Sequence, residues 1–295
     1  MIEKKETRCG YEISPKLEKI WNVELNMLIE LLKVCEKYDL KVVVYSGTLL
    51  GAIRHKGFIP WDDDLDVALP RKDFNKLAEI AADEFEEPLF FQTALSDSKF
   101  FIDYARLRNS NTTGMVTWNQ SEEYNNGIYI DVYPLDAYIE SKYKLGFQIG
   151  IKEFLKQFLA VYYADKSYIS RKPQWVIKIL SFIAHMKPYD WWYWKYVNNL
   201  AKYEDKTTRL SQIHDDLEVI RKYWCTRDDL EEIIYVPFEN IKVPVPANYD
   251  KILTHMYGNY MEFPPIEQRG KWHEHMIIFE PDVPYKEYIK KLKNK

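Results

Sequence analysis

The sequence predicts an α+β fold, with short strands and amphipathic helices sharing one core and a helical segment inserted into it. Three observations lead there. Residues 15–38 repeat apolar side chains at three- and four-residue spacing, the period of a helix. They run directly into KVVVY (41–45), a β-branched stretch of strand length. From 141 to 235 the character changes to long segments of helical period, rich in aromatics and lysine.

Each element has a local reason. Ser14 and Pro15 open the first helix, a capping hydroxyl followed by a proline at a position where no N–H is needed. Leu17, Ile20, Trp21, Leu25, Leu28, Leu31, Leu32 and Cys35 mark its apolar face. KVVVY ends at SGTLLGAIRHKG, where Gly47 is expected to open a short helix containing Gly51. DLDVAL reads as a strand, ALPRKDFNKLAEIAADEF as a helix, and FFIDYARLR as a further strand. NSNTTG is a turn or loop. GIYIDVYPLD (127–136) is an apolar strand expected to stop at Pro134. Within 141–235, KLGFQIGIKEFLKQFLAVYYADK and QWVIKILSFIAHMKPYDWWYWKYVNNL are helical in pattern. The tail returns to short strands, prolines and a helix near 248–257. The expected division is 1–140 for a catalytic core, 141–235 for a helical insertion and 236–295 for a segment that rejoins the core.

Bulk properties exclude several classes. With 295 residues, 46% of them hydrophobic, the chain can bury one large core or two modest ones. A net charge of −4 argues against the broad basic face of a nucleic-acid binder. Cys9, Cys35 and Cys225 lie far apart without a CxxC pair, which excludes a zinc ribbon or a disulfide framework and fits reduced thiols. The N-terminal residues hold no apolar leader, and no run approaches the ~20 apolar residues of a membrane span. A cytoplasmic location is expected.

The stretch IPWDDDLDVALPR (59–71) carries the chemistry. Four aspartates, Asp62, Asp63, Asp64 and Asp66, fall within five positions, and apolar residues follow at once. On a strand, Asp62, Asp64 and Asp66 share one face while Leu65, Val67 and Leu69 take the other. Carboxylates so placed repel unless a cation sits among them, and Mg2+ takes oxygen ligands of this kind together with substrate phosphates. Asp131, between Ile130 and Val132, is a further acid in an apolar strand, costly without a partner. An acidic run is more commonly a solvated loop. An EF-hand loop fails on spacing, because Val67 stands where the turn needs Gly and Asp73 where Glu is expected. Strand, glycine, helix, acid pair and a later acid in an apolar strand form the pattern of a nucleotidyltransferase-like mixed β-sheet core flanked by helices. That pattern points to phosphoryl or nucleotidyl transfer.

YSGTLLGAIRHKGFIPWDDDLDVALPRKDF (45–74) closely resembles the signature block of the LicD family of bacterial phosphocholine transferases, relatives of the fukutin-type enzymes of animals. YARLRNSNTTG (104–114), GIYIDVYPLDA (127–137), the segment 234–265 and KWHEH (271–275) resemble the later blocks in the same order, loosest across the helical middle. The zinc-binding cysteines of the fukutin-type relatives are absent, which favours the bacterial branch. The stretch from Gly47 to Asp64 is longer than in many nucleotidyltransferases but usual for this family.

The resemblance implies transfer of phosphocholine from CDP-choline to a hydroxyl of a cell-surface or lipid-linked glycan, of teichoic acid or lipopolysaccharide type, with CMP leaving. Asp64 and Asp66 would hold Mg2+ (or Mn2+) at the diphosphate, with Asp131 and Asp62 completing the set. Asp131 is the expected base, Asp62 the alternative, and Asp63 is expected to cap or pair locally. Gly47 and Thr48 open a helix whose N–H groups suit phosphate, although the glycines serve close packing equally well. Arg54, Lys56, Arg106 and Arg108 are candidates for the diphosphate, with a plain surface role open for Lys56. His273 is the candidate substrate contact of the last block. Trp61, Trp118, Tyr124, Tyr133, Trp224 and Trp272 are candidates for a choline cage, though most aromatics of a chain with 23 Tyr and 9 Trp belong in a core. WWYWKY (191–196) among lysines suggests peripheral contact with a membrane, against a simpler reading as a buried helical subdomain. Transfer of another phospho-alcohol (ribitol, glycerol or ethanolamine), nucleotidyl transfer, and an inert nucleotide- or choline-binding scaffold are the alternatives. The scaffold gains nothing from crowded carboxylates.

Overall fold

The structure, a computed structural model, describes residues 6–97, 102–116, 124–162, 172–204, 206–270 and 276–293. A two-residue hairpin, β1 (Thr7–Arg8) and β2 (Tyr11–Glu12), leads into α1 (Pro15–Lys37). Ser14 caps α1, its hydroxyl accepting the Leu17 N–H at 3.1 Å. The face marked by Ile20, Trp21, Leu25, Leu28, Leu31 and Cys35 is buried as the spacing predicts.

The core then assembles in chain order as β3 (Val43–Val44), α2 (Ser46–Arg54), β4 (Asp66–Pro70), α3 (Arg71–Glu84), β5 (Leu89–Gln92), β6 (Ala105–Asn109), β7 (Thr113–Val116) and β8 (Ile128–Ala137). Strand β4 starts only at Asp66, so Asp62 and Asp64 stand in the loop before it and not on a shared strand face. β4 runs parallel to β8 and antiparallel to β3. The other edge of β8 is divided: its first half pairs with β6, which carries β5, and its end pairs with β9 (Arg209–Ser211), which carries β10 (Trp224–Thr226). Among the described residues these seven strands form one mixed sheet. α1 packs across β6 and β8, and α3 against β4 and β8.

Pro134 does not stop β8. The Asp131 N–H points to β4, where it reaches the Leu65 carbonyl at 2.9 Å, so by alternation the nitrogen of Pro134 faces the opposite edge. There β6 has ended at Ala105, opposite Val132, and β9 begins only at Asp136. The missing N–H falls in the gap between two partners.

Among the described residues three helices follow, α4 (Lys142–Tyr162), α5 (Gln174–Ala184) and α6 (Tyr189–Leu200), with Pro188 at the start of the last. They bury a second apolar cluster around Leu145, Phe158, Trp192, Tyr196 and Leu200. Phe158 stacks on Trp192 at 4.3 Å, and the indole N–H donates to the Ala184 carbonyl. The stretch 141–235 is not wholly helical, because β9, α7 (Leu217–Lys222) and β10 return within it to the main sheet. The hairpin β11 (Ile233–Phe238) and β12 (Ile241–Pro246) and helix α8 (Tyr249–Tyr257) pack on β3 and α2. β13 (Met276–Glu280) pairs with β7, and α9 (Tyr285–Lys293) ends the described chain.

Candidate active site

Where β3 gives way to α2 the backbone must turn sharply. Ser46, the first residue of α2, does so at φ 48°, a left-handed conformation that costs a non-glycine residue about 1 kcal/mol. The Tyr45 N–H bonds the Asp66 carbonyl at 3.0 Å, and the Asp66 N–H donates to Thr48 Oγ1 at 2.8 Å. The start of α2 and the start of β4 are therefore locked together. Thr48 is committed to this bond and supports Asp66 from behind. Gly47 lies close against the acid loop: a Cβ there would stand 3.3 Å from Asp62 Oδ2. Gly51 has the packing role, since its Cβ would meet the Gly57 carbonyl oxygen at 2.6 Å.

These elements form one wall of a cleft of about 760 Å³. Asp62, Asp64 and Asp66 line it together with Ser46, Gly47 and Arg54. Asp62 is 7% and Asp66 8% exposed, so both carboxylates look into the cleft through narrow openings. Burial pushes Asp66 well above the usual carboxylate range, reinforced by the charges of Asp64, Asp131 and Asp62. Burial likewise raises Asp62 to about 6. Asp66 Oδ1 is buried and accepts no hydrogen bond from the described residues. A hard divalent cation fits this donor set: oxygen only, crowded negative charge, and a buried lone pair left unused. Among the described residues no three His, Cys, Asp or Glu side chains close into a ready-made metal cage. Mg2+ does not need one, because it ordinarily takes one or two carboxylates and completes its shell with water and substrate phosphate.

Asp131 sits directly beside Asp66, its register partner across the parallel strands. It does not line the cleft. Arg106 Nε donates to its Oδ1 at 2.7 Å and the Tyr133 hydroxyl to its Oδ2 at 3.2 Å. Arg106 is thereby turned away from any phosphate, 2% exposed, with its guanidinium 3.7 Å from the Tyr129 ring centroid. Arg108 is also internal, donating to Gln92 Oε1 and, at 2.6 Å, to the Gly127 carbonyl. Burial, and then the neighbouring Arg106 charge, lower it to about 9. Neither arginine reaches the cleft. Lys56 is exposed at φ 57° in the turn after α2, outside the cleft. Arg54 does line it, held by the carbonyls of Tyr260 and Glu262 at 2.8 and 3.0 Å. Trp61 lines it too, with the Arg269 guanidinium 4.9 Å from its ring centroid. His273, His275, Trp118 and Trp272 lie outside the described residues.

Of the remaining aromatic candidates, Tyr133 stacks on His214 at 5.8 Å, Trp224 packs on His255 at 4.4 Å, and Tyr124 lines a separate groove. Asp63 faces another cleft, beside Tyr11 and Ser14.

The opposite wall comes from residues that the local sequence did not mark. Lys222, the last residue of α7, places Nζ 5.2 and 5.6 Å from the ring centroids of Tyr223 and Tyr257. The Tyr257 hydroxyl is raised by burial and by its neighbours Tyr223 and Asp66, and it bonds Ser46 at the start of α2. Phe263 closes the mouth against Trp61, edge to face at 6.3 Å. Beneath the acid loop, the Trp21 indole donates to the Asp62 carbonyl at 2.8 Å. One turn on, Glu24 is fully buried, and neither of its carboxylate oxygens has a hydrogen-bond partner among the described residues. Burial first, then the charges of Asp64, Asp63, Asp62 and Asp66, push it well up. Only its place on the apolar side of α1 could have signalled it, a glutamate between Trp21 and Leu25.

Comparison with known proteins agrees with this geometry. Residues 39–154 match the model of the LicD/FKTN/FKRP nucleotidyltransferase domain. The chain is 27% identical over 256 residues to the lipopolysaccharide cholinephosphotransferase LicD of Haemophilus influenzae, covering 84% of this chain and 92% of that protein. A Rickettsia prowazekii protein without an assigned role is 34% identical over 105 residues, 35% of each chain. A similar one from Rickettsia typhi is 54% identical over 37 residues, 12% of each. The matched domain spans β3, α2, the acid loop, β4 and β8, and over this part the chain is similar to the LicD/FKTN/FKRP nucleotidyltransferase domain.

Proposed function

We propose that this chain is a phosphocholine transferase that moves phosphocholine from CDP-choline to a hydroxyl of a bacterial cell-surface glycan, of lipopolysaccharide or teichoic acid type. The observation that carries the reading is the convergence of Asp62, Asp64 and Asp66 with the first turn of α2 in one cleft. Similarity to a lipopolysaccharide cholinephosphotransferase over most of both chains supports the group transferred and the class of acceptor.

Mg2+ or Mn2+ held by Asp64 and Asp66 would neutralise the diphosphate and stabilise charge on the departing CMP. The chain's own residues do the rest. Ser46 and Gly47 present the first N–H groups of α2 to a phosphate. Lys222 and Arg54 add positive charge from opposite walls, Lys222 as a point charge and Arg54 with its head fixed by two carbonyls. The acceptor oxygen attacks the choline-bearing phosphorus, the bond from that phosphorus to the CMP oxygen breaks, and the acceptor proton goes to a carboxylate. Asp62 lines the cleft and is the better placed base. Asp131, with both oxygens engaged by Arg106 and Tyr133, instead steadies the strand beside Asp66.

Calorimetric titration with CDP-choline, with and without Mg2+, set against CDP-ribitol, CDP-glycerol and CTP, tests the reading. Metal-dependent binding of CDP-choline in preference to the others is expected. Preference for another CDP-alcohol would keep the chemistry and change the substrate. Preference for CTP would point to nucleotidyl transfer, and no binding of any nucleotide would leave the scaffold reading.

A further inference from the structure

The helical body exposes an apolar face that its own core does not cover. On α5 only Ala184 is buried, whereas Trp175, Ile179 and Phe182 are 66%, 51% and 73% exposed. Their spacing of four and three residues puts them on one side of the helix, and Met186, just past its cap, is 66% exposed as well. Tyr143 and Phe147, four residues apart on α4, are also bare. A single exposed apolar side chain needs no explanation, but a stripe of this length does.

Charge says what the stripe meets. From residue 172 to residue 189 the chain carries Lys172, Lys178 and Lys187 and no acid, although the whole protein is at −4. Around the exposed aromatics the lysines are close: Lys187 and Lys195 lie 5.9 and 5.3 Å from the Trp191 ring centroid, and Lys202 lies 5.0 Å from that of Phe147. Apolar and aromatic side chains on one face with ammonium groups at its rim are the composition of a helix lying in a lipid headgroup layer. At eleven residues α5 is about 16 Å long, half the thickness of a bilayer core, and no described helix is long and apolar enough to cross one. A second copy of the chain is a poor occupant, since it would set lysines against lysines with no acid on α5 to answer them.

We propose that α5 docks this protein on an anionic lipid bilayer, with Trp175, Ile179 and Phe182 inserted at the headgroup boundary and the flanking lysines facing lipid phosphates. The docking is independent of the donor and of the acid cleft. It would bring the cleft to acceptors carried on lipid.

Sedimentation of the full chain with vesicles of phosphatidylglycerol, against vesicles of phosphatidylcholine, tests this. The protein should sediment with the anionic vesicles, come off as salt is raised, and stay in solution with the zwitterionic ones. The variant Trp175→Ser, Ile179→Ser, Phe182→Ser should bind phosphatidylglycerol vesicles at least about tenfold more weakly, with its circular dichroism and melting unchanged. Absence of wild-type sedimentation, equal binding by the variant, or equal binding to phosphatidylcholine would overturn the proposal. So would a wild-type dimer in solution that the variant dissolves. CDP-choline titration of the same proteins keeps the two proposals apart: lost nucleotide binding with retained vesicle binding counts against the donor alone.

Discussion

Asp66 and Asp131 face one another in register across the parallel strands β4 and β8, and Arg106 pairs directly with Asp131 at 2.7 Å. Two carboxylates at the same height in a buried sheet repel one another. The arginine gives one of them a counter-charge and leaves the other, with a bare Oδ1, at the edge of the cleft.

Asp66→Asn should therefore separate fold from function. It removes like-charge repulsion and keeps the side-chain shape, so the melting temperature should hold or rise. Turnover of CDP-choline should fall at least about a hundredfold, because several kcal/mol of charge stabilisation go with the carboxylate. Undiminished turnover would sink the role given to Asp66.

Arg106→Met leaves Asp131 buried beside Asp66 without its counter-charge. Urea denaturation should show a loss of about 3–5 kcal/mol. Adding Asp131→Asn should recover part of it, and if the double variant is no better than the single one, the pairing is not what stabilises the sheet.

Lys222 is exposed, with its Nζ over the faces of Tyr223 and Tyr257. Lys222→Ala should leave stability alone and raise the KM for the donor about tenfold to a hundredfold, with a smaller change in kcat. A KM that does not move would remove Lys222 from the phosphate site.

His214 is buried against Tyr133 and Tyr104, and burial lowers its imidazole to about 3. The unfolded chain takes up a proton there near pH 6.5 and the folded chain does not. Stability is thus complete above pH 6.5 and declines as the pH falls toward 3. Down to about pH 5 the loss from this group is about 2 kcal/mol. His214→Phe keeps a ring in the stack without the titrating nitrogens. Its stability should fall by about 2 kcal/mol less than the wild type over that range, and parallel pH curves would be the contrary result.

Gly51→Ala sets two effects against each other. Alanine favours an exposed helix by about 1 kcal/mol, but the added Cβ would stand 2.6 Å from a backbone oxygen that cannot turn aside. Overpacking of this kind costs about 1–3 kcal/mol. A net loss of stability is expected in thermal melting, and a gain would show that the Gly57 turn can shift.

The sequence by itself determined what is local. Apolar spacing and the Ser14–Pro15 pair specify α1, and apolar residues on either side place Asp131 in a strand. The acid loop after the Gly47 helix carries the resemblance to the LicD family, and unlike a solvated loop it leads straight into a buried strand. Tertiary structure decided everything that depends on who sits opposite. Pro134 is tolerated because β6 has ended and β9 has not begun on its side of β8. Arg106 and Arg108 alternate onto one face as phosphate ligands would, yet Asp131, Gln92 and the Gly127 carbonyl take them inside the sheet. Lys222, Tyr257 and Phe263 join Asp62 across gaps of more than a hundred residues, through the packing of the segments that bear them. Glu24 looks like one polar residue on an amphipathic helix until α1 is laid beneath the acid loop. Periodicity records which face of an element is apolar; which charge meets which is settled by long-range packing and register, which leave no local trace.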